Sequence, residues 1–183
     1  MSGYGRGIEK GDEHYTPVWV FEKLKVKFDL DVCAPPEGRG IAPAHYCEER
    51  DSLIQPWFGN VWMNPPYSKP APWVDKFIEH GQGIALLPMT RGKWWDKIWN
   101  ASDSVVPCEY NFKFVRPDGT ERMIMFRTMF FAIGMENATA LDSVSQNRVR
   151  ECRSLWLRWV LRVLRVDVDA AKMTTTTIGI TNE

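Results

Sequence analysis

The sequence predicts an α/β fold: a doubly wound, mostly parallel sheet with an antiparallel hairpin at its end. Three observations carry that reading. Two short apolar runs, Val61-Trp62-Met63 and Ile84-Ala85-Leu86-Leu87, are near-continuous rather than alternating, and each stops at proline; strands covered on both faces read this way. Between them Trp73, Val74, Phe77 and Ile78 recur at helical spacing, so strand and helix alternate as they do in βαβ units. Further on, Pro117-Asp118-Gly119-Thr120 separates Phe112–Arg116 from Met123–Phe126, and an Asp-Gly pair between two such runs is a hairpin signal.

Taken in order, residues 1–13 are rich in glycine and charge and are expected to form a flexible arm. Thr16 is placed to cap a short helix, with Pro17 at its first position and Val20, Phe21 and Leu24 on one apolar face. Phe28–Ala34 has strand composition and breaks at Pro35-Pro36-Glu37-Gly38. In an open α/β sheet, ligands bind where strands end and loops begin. Asp31, near such an end and followed by Cys33 and Ala34, is therefore a candidate to bond an amine or hydroxyl of a nucleoside-like cofactor, or simply a turn residue. Asp51, in the acidic stretch Glu48-Glu49-Arg50-Asp51, is a second candidate for a ribose diol or an exocyclic amine.

The run Asn60-Val61-Trp62-Met63 closes in Asn64-Pro65-Pro66-Tyr67. Proline lacks an N–H and disfavours helix in the residue before it, so the strand must stop and the chain must turn. The turn presents one carboxamide and one aromatic ring. A carboxamide oxygen and a free backbone carbonyl can accept both hydrogens of a planar amine, while a ring beside them stacks on the heterocycle that carries it. An ordinary Pro-Pro turn is the alternative. After it come a helix over 71–80 stopped by Gly81, a buried strand from Gly83 to Pro88, a helix over Lys93–Trp99, a short strand near Val105–Cys108, the hairpin, and a buried strand Met129–Gly134.

One domain over residues 14–166 is expected, with a tail over 167–183. Net charge is zero, so no global basic field announces nucleic acid. Arg148, Arg150, Arg153, Arg158, Arg162 and Arg165 nevertheless interleave with Val149, Cys152, Trp156, Trp159, Val160 and Val163. That pattern is an amphipathic helix with a basic face, either for phosphate contact or merely solvated over a packing stripe. Cys33, Cys47, Cys108 and Cys152 are scattered and His45 has no second ligand at metal spacing, so neither a disulfide framework nor a metal site is expected. Without a leader or a bilayer-length apolar run, the expectation is a soluble, cytoplasmic protein with no membrane partner.

Four segments, "YTPVWVFEKL", "FDLDVCAPPEG", "RDSLIQPWFGNVWMNPPYS" and "ALLPMTRGKWWDKIW", resemble the bacteriophage DNA adenine-N6 methyltransferase family, and "NFKFV…MFFAIG" fits its closing strands. The resemblance covers roughly residues 14–134. It implies a class I S-adenosylmethionine-dependent, Rossmann-like methyltransferase acting on DNA, whose acceptor adenine is flipped out of the stack. It implies that Asn64 and the Pro65 carbonyl hold the adenine amine, with Tyr67 stacked on the base and Pro66 completing the turn. It further implies that Thr16, Pro17, Asp31 and Ala34 border the S-adenosylmethionine pocket, with Asp51 as a ribose or adenine contact. The loop "CAPPEG" departs from the Gly-rich loop of many methyltransferases. Other readings stay open from the residues: methylation of a protein glutamine amide, less readily of a cytosine amine, or a fold kept only to bind DNA or a host protein. Recognition sequence and oligomeric state are not legible.

Overall fold

In a computed structural model the described residues are 14–109 and 111–145. Along them run α1 (Val18–Leu24), β1 (Leu30–Asp31), β2 (Ala44–His45), a 3-10 turn (Glu48–Arg50), β3 (Val61–Met63), α2 (Ala71–His80), β4 (Gly83–Pro88), α3 (Lys93–Ala101), β5 (Ser104–Pro107), β6 (Phe114–Val115), β7 (Glu121–Arg122) and β8 (Thr128–Ile133). A further helix, α4, occupies residues 135–145. The expected N-terminal arm, the Arg-rich helix, the boundary at residue 166, the tail and Cys152 lie outside the described residues.

Six strands form one sheet in the order β2-β1-β3-β4-β8-β5. β2, β1, β3 and β4 are mutually parallel, with Leu30 opposite Val61 and Val61 opposite Gly83. β8 lies between β4 and β5 and is antiparallel to both, running from Ile133 beside Gly83 to Thr128 beside Pro88. The chain is thus mixed α/β with a mostly parallel sheet.

The alternation of side chains across each strand divides the core in two. Trp62, Ile84, Leu86, Val106, Phe130 and Ala132 face Val20 and Leu24 of α1 together with Ala138 and Leu141 of α4. Val61, Met63, Ala85, Leu87, Met129 and Phe131 face Val74 and Phe77 of α2 with Trp94 and Ile98 of α3. Helices therefore cover both faces, which is why all six residues of β4 are buried and why its sequence does not alternate. α2 stops where Gly81 takes a left-handed φ of 75° and donates its N–H to the Phe77 carbonyl, as a glycine C-cap does.

The structure corrects three sequence expectations. The Pro117–Thr120 turn forms, with the Arg116 N–H on the Thr120 carbonyl at 2.8 Å. Its strands, however, make a separate two-stranded sheet rather than the end of the main one. Met123–Phe126 does not pair: Met125 is 96% exposed, an apolar run that imitates a strand without a partner edge. α1 begins at Val18 with Pro17 in the cap position and no side-chain cap bond, so the Thr16 hydroxyl is not spent on the helix. β2 and α4 carried no recognisable sequence pattern. Of the adjacent tryptophans, Trp94 is buried and half-buried Trp95 meets Phe131 edge-on, with ring centroids 5.3 Å apart.

Gly83 is required by the β3–β4 pairing, because a Cβ there would overlap the Val61 carbonyl oxygen and crowd Phe77. Gly83→Ala should cost roughly 1–3 kcal/mol by overpacking, read as a lower urea midpoint at unchanged slope.

Candidate active site

Because β1, β3 and β4 are parallel, their carboxyl ends share one edge of the sheet. Asp31 ends β1 opposite Trp62, and Asn64 follows two residues further along the neighbouring strand. Cys33 joins the two. Its N–H donates to Asp31 Oδ1 at 3.1 Å, and its sulfur takes a hydrogen bond from the Asn64 backbone. Burial and the Asp31 charge push the Cys33 thiol well above its ordinary range, so it stays a neutral thiol.

The Asn64 side chain is oriented from far away in sequence. Its Nδ2 donates to the His14 carbonyl at 2.6 Å and lies 3.4 Å from Thr16 Oγ1. Exchanging the amide nitrogen and oxygen would set two oxygens against each other, so the network fixes the nitrogen on the His14 side. Oδ1 is left as an acceptor for something else. Thr16, 1% exposed, thus faces the turn instead of capping α1. Pro65 is buried and Pro66 exposed. Half-buried Tyr67 packs edge-on against Phe114, with centroids 6.2 Å apart, and against His14 at 6.4 Å.

Asp31 is 4% exposed. Burial raises its carboxyl from 3.8 to about 6, against the lowering effects of the Cys33 N–H, Arg39 and His45. Oδ2 has no donor among the described residues. A buried carboxylate with a charged neighbour but no ion pair is costly to the fold. Arg39, which sequence reasoning passed over, donates from Nη1 to the Thr16 carbonyl at 2.8 Å and lies over the Tyr15 ring at 4.8 Å. Tyr15 pairs with Val115 of β6 through bonds of 2.9 and 2.8 Å. Only the Gly38–Gly40 loop position hinted at Arg39, and nothing local distinguishes His14.

The remaining candidates sit further out. Ala34 is buried and donates its N–H to the Tyr46 carbonyl at 3.0 Å, continuing the β1–β2 pairing into the loop. Pro17 is buried beside Thr16. Asp51 is exposed at a left-handed φ of 42°, and its Oδ1 accepts from the Leu53 N–H at 3.2 Å. No hydrogen bond or ion pair among the described residues joins it to Asp31, Thr16 or Asn64.

Compared with known proteins, residues 7–147 match the family model described as DNA N-6-adenine-methyltransferase (Dam). The chain belongs to the Dam family. Relatives include the DNA N-6-adenine-methyltransferase of Haemophilus phage HP1 (strain HP1c1), 32% identical over 118 residues that make up 58% of this chain and 68% of that protein. The protein of the same name from Escherichia phage T1 is 39% identical over 75 residues, 38% of this chain and 31% of that one. No solved structure matches. The Dam match takes in every element of the sheet and the whole of the Asn64 turn. Among the described residues no helix is long and apolar enough to cross a membrane.

The raised carboxyl has a measurable consequence. A folded-state value of about 6 against 3.8 unfolded means that the native state binds the proton more tightly. The Asp31 contribution to stability is full below about pH 4, falls as pH rises to about 6, and stays lower beyond, by on the order of 3 kcal/mol. Asp31→Asn should flatten that slope and be roughly 1–3 kcal/mol more stable than wild type at pH 8, as read by urea unfolding at pH 4, 6 and 8.

Proposed function

We propose that this protein methylates the N6 amine of adenine in DNA, using S-adenosylmethionine, at the Asn64–Tyr67 turn. The observation that carries the reading is the Asn64 carboxamide. Its nitrogen is committed to the His14 carbonyl at 2.6 Å, which leaves the oxygen to accept from a substrate. An adenine amine is a poor nucleophile because its lone pair is delocalised into the ring. Asn64 Oδ1 and the Pro65 carbonyl accept its two hydrogens, favouring a pyramidal nitrogen whose lone pair is free to attack. Tyr67, braced edge-on by Phe114 and His14, stacks on the base. Reaching the amine requires flipping the nucleotide out of the duplex. Positioning and fixed dipoles supply the acceleration, and no residue at the turn needs to titrate.

The residues at the β1 end fit S-adenosylmethionine. A buried carboxylate whose Oδ2 has no donor among the described residues suits the ammonium or ribose hydroxyl of that cofactor, which when bound supplies an electrophilic methyl on a sulfonium. Thr16, Pro17 and Ala34 border that end, with Asp51 at most a peripheral contact. The mostly parallel sheet with β8 antiparallel between β4 and β5, covered by helices on both faces, supports a doubly wound, Rossmann-like class I methyltransferase. Family membership favours DNA over a glutamine amide as acceptor.

Incubation with labelled S-adenosylmethionine and unmethylated bacterial DNA, followed by digestion to nucleosides, should place label in N6-methyladenosine. Label confined to protein would overturn the reading. Asn64→Ala should fold normally and lose at least about 100-fold in kcat, the scale of removing one preorganised polar group. Protonation of Asp31 should also weaken cofactor binding as pH falls through about 6, seen in a calorimetric titration from pH 8 to pH 5; flat affinity across that range would remove Asp31 from the cofactor site.

A further inference from the structure

The orientation of Asn64 is only as firm as the chain segment that accepts its hydrogen bond. Residues 14–16 belong to neither the main sheet nor α1. On one side Tyr15 forms an antiparallel bridge with Val115. On the other side Arg39 reaches the segment from the Gly38 loop, beside the ring contacts that His14 makes with Tyr67 and Phe114. Its guanidinium donates to the Thr16 carbonyl at 2.8 Å and lies 4.8 Å from the centre of the Tyr15 ring. A planar guanidinium can donate in its plane while presenting a face to an aromatic ring, which an ammonium cannot do. Arg39 itself starts from a fixed point, because the Gly38 N–H closes a turn on the Pro35 carbonyl at 2.9 Å. Gly38 has a φ of 70°, and its Cα lies so close to the His45 ring that a Cβ there would come within 2.9 Å of it.

We propose that Arg39 is a positioning residue for methyl transfer, holding the His14–Thr16 segment so that the Asn64 amide keeps its nitrogen on the His14 carbonyl and its oxygen turned to the target amine. The proposal rests on the preceding assignment of Asn64 to the acceptor amine. Arg39 makes no ion pair among the described residues, and its guanidinium is partly desolvated, with Asp31 and Tyr15 as its stabilising neighbours. One side chain therefore touches both the segment that orients Asn64 and the field of the buried carboxylate at the β1 end. Arg39 sets geometry and takes no proton.

The test uses the full chain and compares Arg39→Met, Arg39→Gln and Arg39→Lys. Arg39→Met should lower kcat roughly 10- to 100-fold, the cost of a misplaced polar group, with the KM for DNA nearly unchanged. The readout that a merely structural role would not move is the Asn64 side-chain amide in a 15N-asparagine NMR spectrum, assigned by its loss in Asn64→Ala. In wild type its two protons should be shifted apart and slow to exchange. In Arg39→Met they should move to free-amide positions and exchange at least about tenfold faster, as a lost hydrogen bond requires. Arg39→Gln, which keeps a donor, and Arg39→Lys, which keeps a donor and the charge, should each recover part of both signals. Wild-type kcat in Arg39→Met, or reduced kcat with an unaltered Asn64 amide, would overturn the proposal. If Arg39→Met does not fold, Tyr15→Leu, which removes the stacked ring but keeps the backbone bridge, should shift the same resonances in the same direction, and unmoved resonances there would equally overturn it. Full activity in Asn64→Ala would instead sink the assignment of Asn64 while leaving the amide spectra to decide on Arg39.

Discussion

The hydrogen bond from Asn64 Nδ2 to the His14 carbonyl spans fifty residues of sequence and 2.6 Å of space. A neutral hydrogen bond of this kind contributes only about 1 kcal/mol to stability. Its importance is directional. It removes the two-fold ambiguity of a carboxamide, which otherwise presents donor and acceptor with equal ease. For that bond to form, residue 14 must be brought to the end of β3, which requires the Tyr15–Val115 bridge and hence the small β6–β7 sheet. The hairpin is outside the main sheet, yet the acceptor oxygen depends on it.

What keeps the other half of this arrangement still is the sheet. β3 pairs with β4, and β4 with β8, along their lengths in unbroken register. Both faces are sealed by helices, so the strands have no freedom to slip without exposing one apolar set and burying nothing in exchange. Asn64 leaves this rigid frame at Met63, a residue with no exposed surface. Two prolines in succession then limit the backbone immediately beyond it. A side chain on a short, stiff turn at the end of a buried strand is held more closely than one on a long loop.

The sheet's centre was legible because its physics is local and strong. Gly81 ends α2 and Gly83 opens β4 in the structure as in the sequence, since a left-handed cap and a close strand contact each demand glycine. The Asn64 turn was legible for the same reason, proline being unambiguous. What failed depended on partners distant in sequence. The Met123–Phe126 run has strand composition, but composition does not supply an edge to pair with. β2 is two residues long and exists only because β1 offers it a ladder. Thr16 satisfied every local rule for a helix cap and was drawn instead to Asn64, 48 residues away. Arg39 and His14 escaped notice because a guanidinium bonding a carbonyl and a backbone oxygen accepting an amide leave no pattern in the chain.

Under the role proposed for Asn64, the electrostatics favour an amide at the turn. Cys33 touches the Asp31 carboxylate and the Asn64 backbone, so the two residues share one neighbour at this corner of the sheet edge. A carboxylate at position 64 would be a stronger acceptor for an amine, but it would face the His14 carbonyl with no N–H to offer it. It would also add a second negative charge near an Asp31 that burial already pushes to about 6. Two carboxyls so placed raise one another, and one of them would hold a proton at neutral pH. A protonated acid would then present a donor where the proposed reaction needs an acceptor, or would neutralise the charge proposed to meet the cofactor. The neutral amide avoids both outcomes. It accepts at every pH, uses its own donors to fix its orientation, and sets no second carboxylate beside Asp31.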